Sequence, residues 1–203
     1  MGLLYRLLYL VGITPWENLA TQPAAEQVSR MLDREEAERQ LPYGKALDLG
    51  CGTGIWSVEL AKRGWSVTGI DVIPKAVHAA RERAREEQVE LRCAQADVTK
   101  LEEADIGSDF ELVLDFGTVH GLDDEEREAV GRGVTAITTS DASLVMYAVE
   151  RPGGPPFPHA MNHTAIAETY PDWTIVDEQP LDTSGLPGMF AKRNPRWYQL
   201  RRN

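Results

Sequence analysis

The stretch ALDLGCGTGIW, Ala46–Trp56, joins a short apolar run to a helical pattern through glycines at positions 50, 52 and 54. An apolar run of this length, followed by glycines and then a helix, is typical of a strand that turns into a helix. Because glycine has no side chain, such a loop lets a ligand approach the backbone at the helix N-terminus. The stretch therefore predicts a ligand-binding loop after the first strand of an α/β sheet.

The spacing of these glycines excludes two common phosphate-binding loops. A dinucleotide fingerprint requires G-x-G-x-x-G, but the third glycine is Gly54 and position 55 is Ile. A phosphate loop requires a lysine directly after its last glycine, and none follows before Lys62. Asp48, two residues before the first glycine, would repel a pyrophosphate and attract a cation. S-adenosylmethionine, which carries an ammonium group, a sulfonium and no phosphate, fits this charge.

Two further acidic residues follow the next two predicted strands. Asp71 ends the second strand in VTGIDV, where a carboxylate can accept hydrogen bonds from ribose hydroxyls. Asp97 follows the third strand in AQADV and is placed to bind the adenine amino group. Each acid alone is also compatible with a helix cap or a turn. Together they mark the carboxyl ends of successive parallel strands, where open α/β sheets bind ligands.

Strand-length apolar runs alternate with helical patterns from Lys45 onward, which indicates repeated βαβ units. The structure expected is an α/β doubly wound fold with a mostly parallel sheet. After the proline- and glycine-rich RPGGPPFPH, which we interpret as a loop above the sheet, a short helix begins at Thr164. The last two strands are predicted to pair antiparallel at one edge. In chain order, the predicted strands are Lys45–Leu49, Ser66–Ile70, Glu90–Gln95, Phe110–Phe116, Ser143–Glu150, Trp173–Gln179 and Arg196–Arg202.

The residues before the sheet predict a helical cover. Pro23–Gln40 has the pattern of an amphipathic helix, and the residues expected to face inward are Ala25, Val28 and Leu32. Leu3–Ile13 is apolar but too short to span a membrane, so we expect it to pack over an apolar groove of the domain. Contact with a membrane surface is the alternative. We expect one domain over 1–203, with a cover in 1–40 and an α/β core in 45–203.

Charge and cysteine content narrow the function classes. The chain has 21 Lys and Arg against 32 Asp and Glu, a net charge of −11, which argues against a nucleic-acid partner. We interpret the basic residues near the end as solvated charges at a strand edge: Lys192, Arg193, Arg196, Arg201 and Arg202. Cys51 and Cys93 are too few for a disulfide framework, which favours a cytoplasmic location.

LDLGCGTG and the acids after three strands resemble the class I S-adenosylmethionine-dependent methyltransferases. The resemblance implies a Rossmann-like, seven-stranded sheet, S-adenosylmethionine as cofactor and S-adenosylhomocysteine as product. It assigns Asp48 and the loop backbone to the methionine part and Asp71 to the ribose. The full set of cofactor residues expected is Trp16, Asp48, Gly50, Gly52, Gly54, Asp71, Val72, Asp97, Val98 and Asp115, with Asp97 and Val98 at the adenine.

A second resemblance concerns the segment before the core. TPWENLATQP looks like the Pro-Trp…Gln-Pro segment of thiopurine-methyltransferase-like small-molecule enzymes, although the usual glycine between its halves is missing. In those relatives the segment covers the bound cofactor. The resemblance therefore makes Trp16 a contact of both cofactor and substrate, the alternative being an aromatic plug in an apolar cluster.

The end of the fourth strand, LVLDFGTVHGL, is where the resemblance places the methyl acceptor. His120 is the best candidate for a general base, because an imidazole can take a phenolic or thiol proton near neutral pH. A hydrogen-bonded loop histidine without proton transfer is the alternative, and Asp115 is the next candidate base. Phe116 and His159 are expected at the substrate, His159 in the loop after strand five. No metal site is expected at His159 and His163.

We therefore expect a methyltransferase that acts on a small, partly apolar molecule by O-, S- or C-methylation. The absence of an Asn-Pro-Pro-Tyr-like tetrapeptide argues against amino-group methylation of adenine or glutamine. Two alternatives stay open: a membrane-associated quinone or lipid-intermediate methyltransferase, and a non-catalytic protein that binds the cofactor for regulation.

Overall fold

The computed structural model describes residues 23–153, 159–184 and 188–203. Its helices are α1 Pro23–Glu36, α2 Ile55–Arg63, α3 Pro74–Glu86, α4 Asp124–Ile137, α5 His163–Thr169 and α6 Gly188–Ala191. Its strands are β1 Lys45–Leu49, β2 Ser66–Asp71, β3 Arg92–Gln95, β4 Phe110–Asp115, β5 Thr138–Val149, β6 Trp173–Pro180 and β7 Pro195–Arg202. Two short 3₁₀ turns, Val98–Lys100 and Val119–Gly121, follow β3 and β4.

The strands form one seven-stranded sheet in the order β3-β2-β1-β4-β5-β7-β6. Strands β1 to β5 pair in parallel, and β7 runs antiparallel to both β5 and β6. The sheet order reverses between β1 and β4, so the loops after these strands face each other at the carboxyl edge. The predicted α/β fold with a mostly parallel sheet is confirmed.

Helices cover both faces of this sheet. On one face, α1 and α2 pack over β1, β4 and β5 in a cluster that includes Val28, Leu60 and Trp197. On the other face, α4 and α5 pack over the same strands in a cluster that includes Val134 and Ile166. Local sequence starts and ends these helices: Asp123 and Glu126 form a capping box before α4, for example.

Three predicted element boundaries differ from the structure by two or more residues. Strand β3 begins at Arg92 rather than Glu90, because the Val89 amide still bonds the Ala84 carbonyl at the end of α3. Helix α1 ends at Glu36, since the chain turns there through a hydrogen bond from the Arg39 amide to the Glu36 carbonyl. Strand β5 begins at Thr138, directly after α4 and well before the predicted Ser143.

The described part of the predicted cover, α1, packs against the sheet as expected. Val28 and Leu32 are fully buried as predicted, and so are Ala24 and Met31, whereas Ala25 is half-buried. The apolar segment Leu3–Ile13 lies outside the described residues. In the ranges that the structure describes, no helix is long and apolar enough to cross a membrane.

The interpretation of the basic residues near the chain end as solvated charges is wrong for Arg193 and incomplete for the arginines that bind partners within the protein, whereas Lys192 is exposed as expected. Arg193 is buried, and Arg201 bonds the buried Glu35 at 3.0 Å. Arg196 pairs with Glu178 at 2.6 Å. They lie on or next to β7, which is flanked by two strands and covered by α1, so their charges need partners within the protein.

Candidate cofactor and acceptor site

The glycine loop between β1 and α2 can exist only with glycine at two of its positions. Gly50 has φ of +65°, and a side-chain carbon there would lie 2.0 Å from the Thr118 hydroxyl oxygen. Gly54 has φ of +79°, and a side-chain carbon there would lie 2.8 Å from Ala80 of α3. The three-glycine pattern therefore allows close packing of the loop against the loop after β4 and against α3.

Asp48 lies behind this loop, near the carboxyl end of β1. Its side chain is buried and accepts a 2.5 Å hydrogen bond from the Ser57 hydroxyl of α2. Burial raises the pKa of this carboxyl to about 7, the Ser57 hydrogen bond opposes the rise, and the nearby Asp71 adds to it. A cation in front of the loop would favour the charged form of Asp48.

Asp71 fastens the loop to the end of β2. Its two oxygens accept hydrogen bonds from the Gly52 amide at 3.0 Å and the Ile73 amide at 2.8 Å. Burial raises its pKa, although these amide bonds act in the opposite direction. Asp71 thus holds a turn, and each oxygen keeps acceptor capacity for a ligand hydroxyl.

A cleft at this edge of the sheet brings half of the predicted cofactor residues together. Asp97 caps the 3₁₀ turn after β3, accepting bonds from the Thr99 amide at 3.0 Å and hydroxyl at 2.8 Å. Partial burial acts to raise its pKa, but these bonds outweigh burial and lower it. The cleft is lined by Gly50, Asp71, Val72, Ala96, Asp97, Val98 and Leu122.

Asp115 ends β4 and holds the turn that follows. It is fully buried and accepts hydrogen bonds from the Thr118 amide at 2.6 Å and the Val119 amide at 3.2 Å. Burial raises its pKa to about 7, the amide bonds lower it, and Asp48 contributes a further rise. These contacts make Asp115 a positioning group for the turn on which His120 lies.

His120 has a buried imidazole, 5% exposed, on the turn after β4. Its Nδ1 lies 3.4 Å from the carbonyl oxygen of Tyr147, and its own carbonyl accepts a 2.8 Å bond from Arg127. Burial lowers its pKa to about 4, and the contact with Tyr147 opposes this. The ring is therefore neutral at pH 7, and with Nδ1–H toward the carbonyl its Nε2 can accept a proton.

Aromatic rings surround Phe116, the residue next to Asp115. Trp56, in the first turn of α2, stacks on Phe116 with centroids 5.0 Å apart and planes at 27°. Phe116 also lies 5.9 Å from Tyr147 and 5.3 Å from Trp197. The His120 ring meets Tyr147 edge-on at 5.4 Å. A half-buried aromatic surface thus adjoins both the glycine loop and the predicted base.

Comparison with known proteins identifies the kind of domain. A family model described as a methyltransferase domain matches residues 46–141. A 2-heptyl-1-hydroxyquinolin-4(1H)-one methyltransferase of Mycobacteroides abscessus is 23% identical over 176 residues, covering 84% of this chain and 73% of its own. A ubiquinone biosynthesis O-methyltransferase of Xanthomonas campestris is 32% identical over 136 residues, covering 67% of this chain and 51% of the relative.

Solved structures agree on the fold. The N-methyltransferase NodS of Bradyrhizobium japonicum, in complex with S-adenosylhomocysteine, superposes with a TM-score of 0.71 at 19% identity, covering 91% of this chain and 90% of NodS. The chain carries the domain of an S-adenosylmethionine-dependent methyltransferase. Its fold is that of the class I S-adenosylmethionine-dependent methyltransferases.

The residues of this methyltransferase fit that cofactor. The loop at Gly50 and Gly54 has no space for added side chains, so backbone lines its approach. Asp48 and Asp71 are buried acids whose hydrogen-bond partners in the described part of the chain are neutral donors, and a positively charged ligand would stabilise their ionised forms. If the cofactor binds here, these acids and the cleft are the groups that would hold its cationic end and its nucleoside.

Trp16 and His159 stay predictions as site residues. Trp16 lies outside the described residues. His159 is exposed beside the undescribed stretch 154–158, and His163 contacts Glu178 at 2.9 Å. Sequence reasoning missed Trp56, Tyr147, Trp197 and Leu122. For Trp56 a signal existed, since it directly follows the glycine loop.

Proposed function

We propose that this methyltransferase transfers the methyl group of S-adenosylmethionine to an ionisable hydroxyl on a small, partly apolar, planar ring. Thiol and activated-carbon acceptors are the nearest alternatives. The observation that carries the proposal is the aromatic surface of Trp56 and Phe116, which Tyr147 connects to the neutral His120 ring. Stacked aromatic contacts contribute about 0.5–1.5 kcal/mol beyond area burial and orient a flat ligand.

The curated relatives support the same acceptor class. One is named for a hydroxyquinolinone and another for O-methylation in ubiquinone biosynthesis. This chain spans about half, 51%, of the length of the ubiquinone biosynthesis O-methyltransferase. The acceptor of the whole protein is therefore a proposal. The thiopurine-like segment at Pro15 and Trp16, which lies outside the described residues, is the reason to keep a thiol among the acceptors.

Bound in the cleft, the cofactor supplies a methyl group on a positively charged sulfur. The chain's own residues supply alignment: the glycine loop and Asp71 hold the cofactor, while Phe116 and Trp56 orient the ring and exclude water. His120 accepts the hydroxyl proton at Nε2 as the new oxygen–carbon bond forms and the sulfur–carbon bond breaks. Asp115 keeps the His120 turn in place.

Trp16 and His159 complete the proposal from the flanking segments. We assign Trp16 to a cover over cofactor and acceptor, and His159 to the loop above the acceptor. The protein is proposed to act in the cytoplasm without a nucleic-acid partner, in keeping with its charge of −11.

A methyl-transfer assay tests this function. Purified protein is incubated with S-adenosylmethionine carrying a labelled methyl group and with a hydroxyquinolinone, a catechol, a thiophenol and a phenylethylamine, and products are identified by mass spectrometry. We expect a methyl ether from a ring hydroxyl. Cofactor binding without product from any acceptor would favour the non-catalytic binding protein, and a methylated amine as the main product would contradict the acceptor class.

His120→Gln tests the proposed base once an acceptor is found. Loss of a general base lowers turnover by about 10²–10⁴-fold. Because the pKa of His120 is lowered to about 4, the wild-type rate should rise through about pH 4 and then stay level, and the variant should lack this rise. The matched control is His78→Gln, since His78 is 70% exposed on α3 and pairs with Glu82. An unchanged acid limb in His120→Gln would leave proton loss to the acceptor itself.

The membrane-associated alternative depends on Leu3–Ile13, which is outside the described residues. Sedimentation with vesicles of mixed anionic and neutral lipid tests it. Binding that disappears when Leu3–Ile13 is removed would favour a quinone or lipid intermediate as acceptor, whereas no binding favours a freely diffusing one.

A further inference from the structure

A second groove lies at the opposite edge of the sheet, where β1, β2 and β3 begin. It has a volume of about 930 Å³, within the range typical of ligand sites. Its walls come from the amino ends of these strands and from α3, and its apolar residues include Val67, Ile106 and Phe110. Asp48 and Asp71 stand near the other ends of the same strands, so the groove is separate from the cofactor cleft.

This groove is positively charged in a strongly acidic chain. Its lining contains four cations, Lys45, Arg81, Arg85 and Arg92, against a single carboxylate, that of Glu90. The chain as a whole has 32 acidic and 21 basic residues. The groove thus has an excess of basic residues, whereas the whole chain has an excess of acidic ones. Its four basic side chains create a local positive potential.

Most of the charge on these side chains is not neutralised within the protein. Lys45 donates to the Ser108 carbonyl at 3.0 Å, and Arg81 donates to the Cys93 carbonyl at 2.6 Å, both of which are neutral partners. The nearest carboxylates to Lys45 and Arg92 are 3.9 Å away and largely exposed to solvent. Such exposed pairs contribute little and leave the charges available.

Of the four basic residues, Arg85 is the best suited to a mutational test of the groove. It lies exposed on α3, and its side chain makes no hydrogen bond or ion pair with any residue in the described ranges. Because its guanidinium does not support the fold, Arg85 can be replaced to test binding without removing a structural contact. A free guanidinium also offers a planar set of donors suited to phosphate or carboxylate oxygens.

We propose that this groove binds a small organic anion that carries at least two negative charges on an apolar body. The cations select the charged groups, and the apolar floor selects the body. Asp109 and Asp105, which are not part of the lining and lie 3.9 Å from Lys45 and Arg92, would repel an extended polyanion such as a nucleic acid, so a compact ligand fits the charge pattern. Phosphate and carboxylate groups share the required chemistry.

Calorimetric titration tests the proposal with two probes, 2-naphthyl phosphate and naphthalene-2,6-dicarboxylate, at low ionic strength. S-adenosylhomocysteine is present at saturation, so that the cofactor cleft is filled. We expect saturable binding of one probe or both, weakened by added salt because the interaction is electrostatic. The stronger probe identifies whether phosphate or carboxylate is preferred.

Charge variants decide where the probe binds. Arg85→Gln is expected to weaken binding about 3- to 10-fold and Arg85→Glu at least about 10-fold, from loss and then reversal of one charge contact. Arg132→Glu is the matched control, because Arg132 is an exposed arginine on α4 outside the groove. Equal affinities for wild type and Arg85→Glu, no saturable binding, or an oligonucleotide that binds more tightly through Arg85 would each overturn the proposal.

Discussion

Two buried acidic regions of this protein differ in how their charge is balanced. Glu35 of α1 has a fully buried side chain that accepts hydrogen bonds from Ser143 at 2.8 Å and Gln199 at 2.9 Å. It also binds the guanidinium groups of Arg201 at 3.0 Å and Arg39 at 3.2 Å. The chain itself therefore neutralises this acid, which joins α1 to β5 and β7.

The acids at the carboxyl edge receive no such neutralisation. Asp48, Asp71 and Asp115 are all buried, and within the described ranges their hydrogen-bond donors are a hydroxyl and backbone amides. Burial raises the pKa of Asp48 and Asp115 to about 7. The fold thus supplies cations to a structural acid and supplies none to the acids at the carboxyl edge, which supports our proposal that a cationic ligand binds there.

The largest expected effect comes from breaking the neutralised region. Glu35→Ala leaves Arg39 and Arg201 without their buried partner and should lower the free energy of unfolding by about 2–4 kcal/mol. Affinity for S-adenosylhomocysteine, measured by calorimetry on the folded fraction, should stay within about twofold of wild type because Glu35 lies far from the cleft. If Glu35→Ala lowered cofactor affinity by as many kcal/mol as it lowered the free energy of unfolding, the Glu35 region and the acids at the carboxyl edge would not be independent.

Asp71→Ala tests the other region. It removes a charged acceptor from the cleft and should weaken cofactor binding by about 1.5–3 kcal/mol, or roughly 10- to 150-fold. Asp109→Ala is a suitable control, since that acid is 75% exposed at the opposite edge. Wild-type cofactor affinity in a folded Asp71→Ala protein would reduce Asp71 to the turn that its amide contacts define.

Asp48→Asn tests whether an acid without a cationic partner lowers the stability of the cofactor-free protein while it promotes cofactor binding. The folded-state pKa of about 7 lies above the ordinary value of 3.8, so the folded protein binds more protons between these pH values and loses stability as pH rises. At pH 8 the cofactor-free variant should be more stable than wild type, and this difference in the free energy of unfolding should shrink as the pH falls towards 4. Cofactor affinity should fall.

Chemical unfolding of both proteins at the two pH values measures this difference. Equal stability at pH 8 would show that Asp48 is ionised without cost in the cofactor-free protein. Retained cofactor affinity in Asp48→Asn would remove its proposed role toward the cationic ligand.

The smallest effect is a proton released on binding. At pH 7 Asp48 is close to half protonated, and a bound cation favours its ionised form, so about half a proton should leave. Calorimetric titration in two buffers of different ionisation enthalpy measures that number. Heats that agree between buffers would show that the charge state of Asp48 does not change.

Local pattern predicted the parts of the fold and site that depend on neighbouring residues. The glycine loop, the parallel strands and the acids Asp48, Asp71 and Asp97 all follow from short stretches, because turn chemistry and strand periodicity are local properties. The cleft brings Gly50, Asp71, Val72, Asp97 and Val98 together, as their positions after β1, β2 and β3 predict.

Partners distant in the chain were not predictable in this way. Glu35 contacts Gln199, 164 residues away, and nothing near either residue indicates the other. Trp56, Tyr147 and Trp197 come from three separate elements and gather around Phe116 only when the sheet has formed. The pKa of His120, expected near its ordinary value, falls to about 4 because the folded structure buries the ring.

The amino-acid sequence by itself determined the α/β fold, the cofactor loop and the row of acids, since each depends on spacing along a single strand and turn. Only the tertiary structure decided which buried acid is neutralised and which is left for a ligand. It also decided that the basic residues of β7 become internal partners and that α3 and the strand starts form a basic groove. Burial and charge pairing depend on all neighbours in space, and those neighbours come from distant parts of the chain.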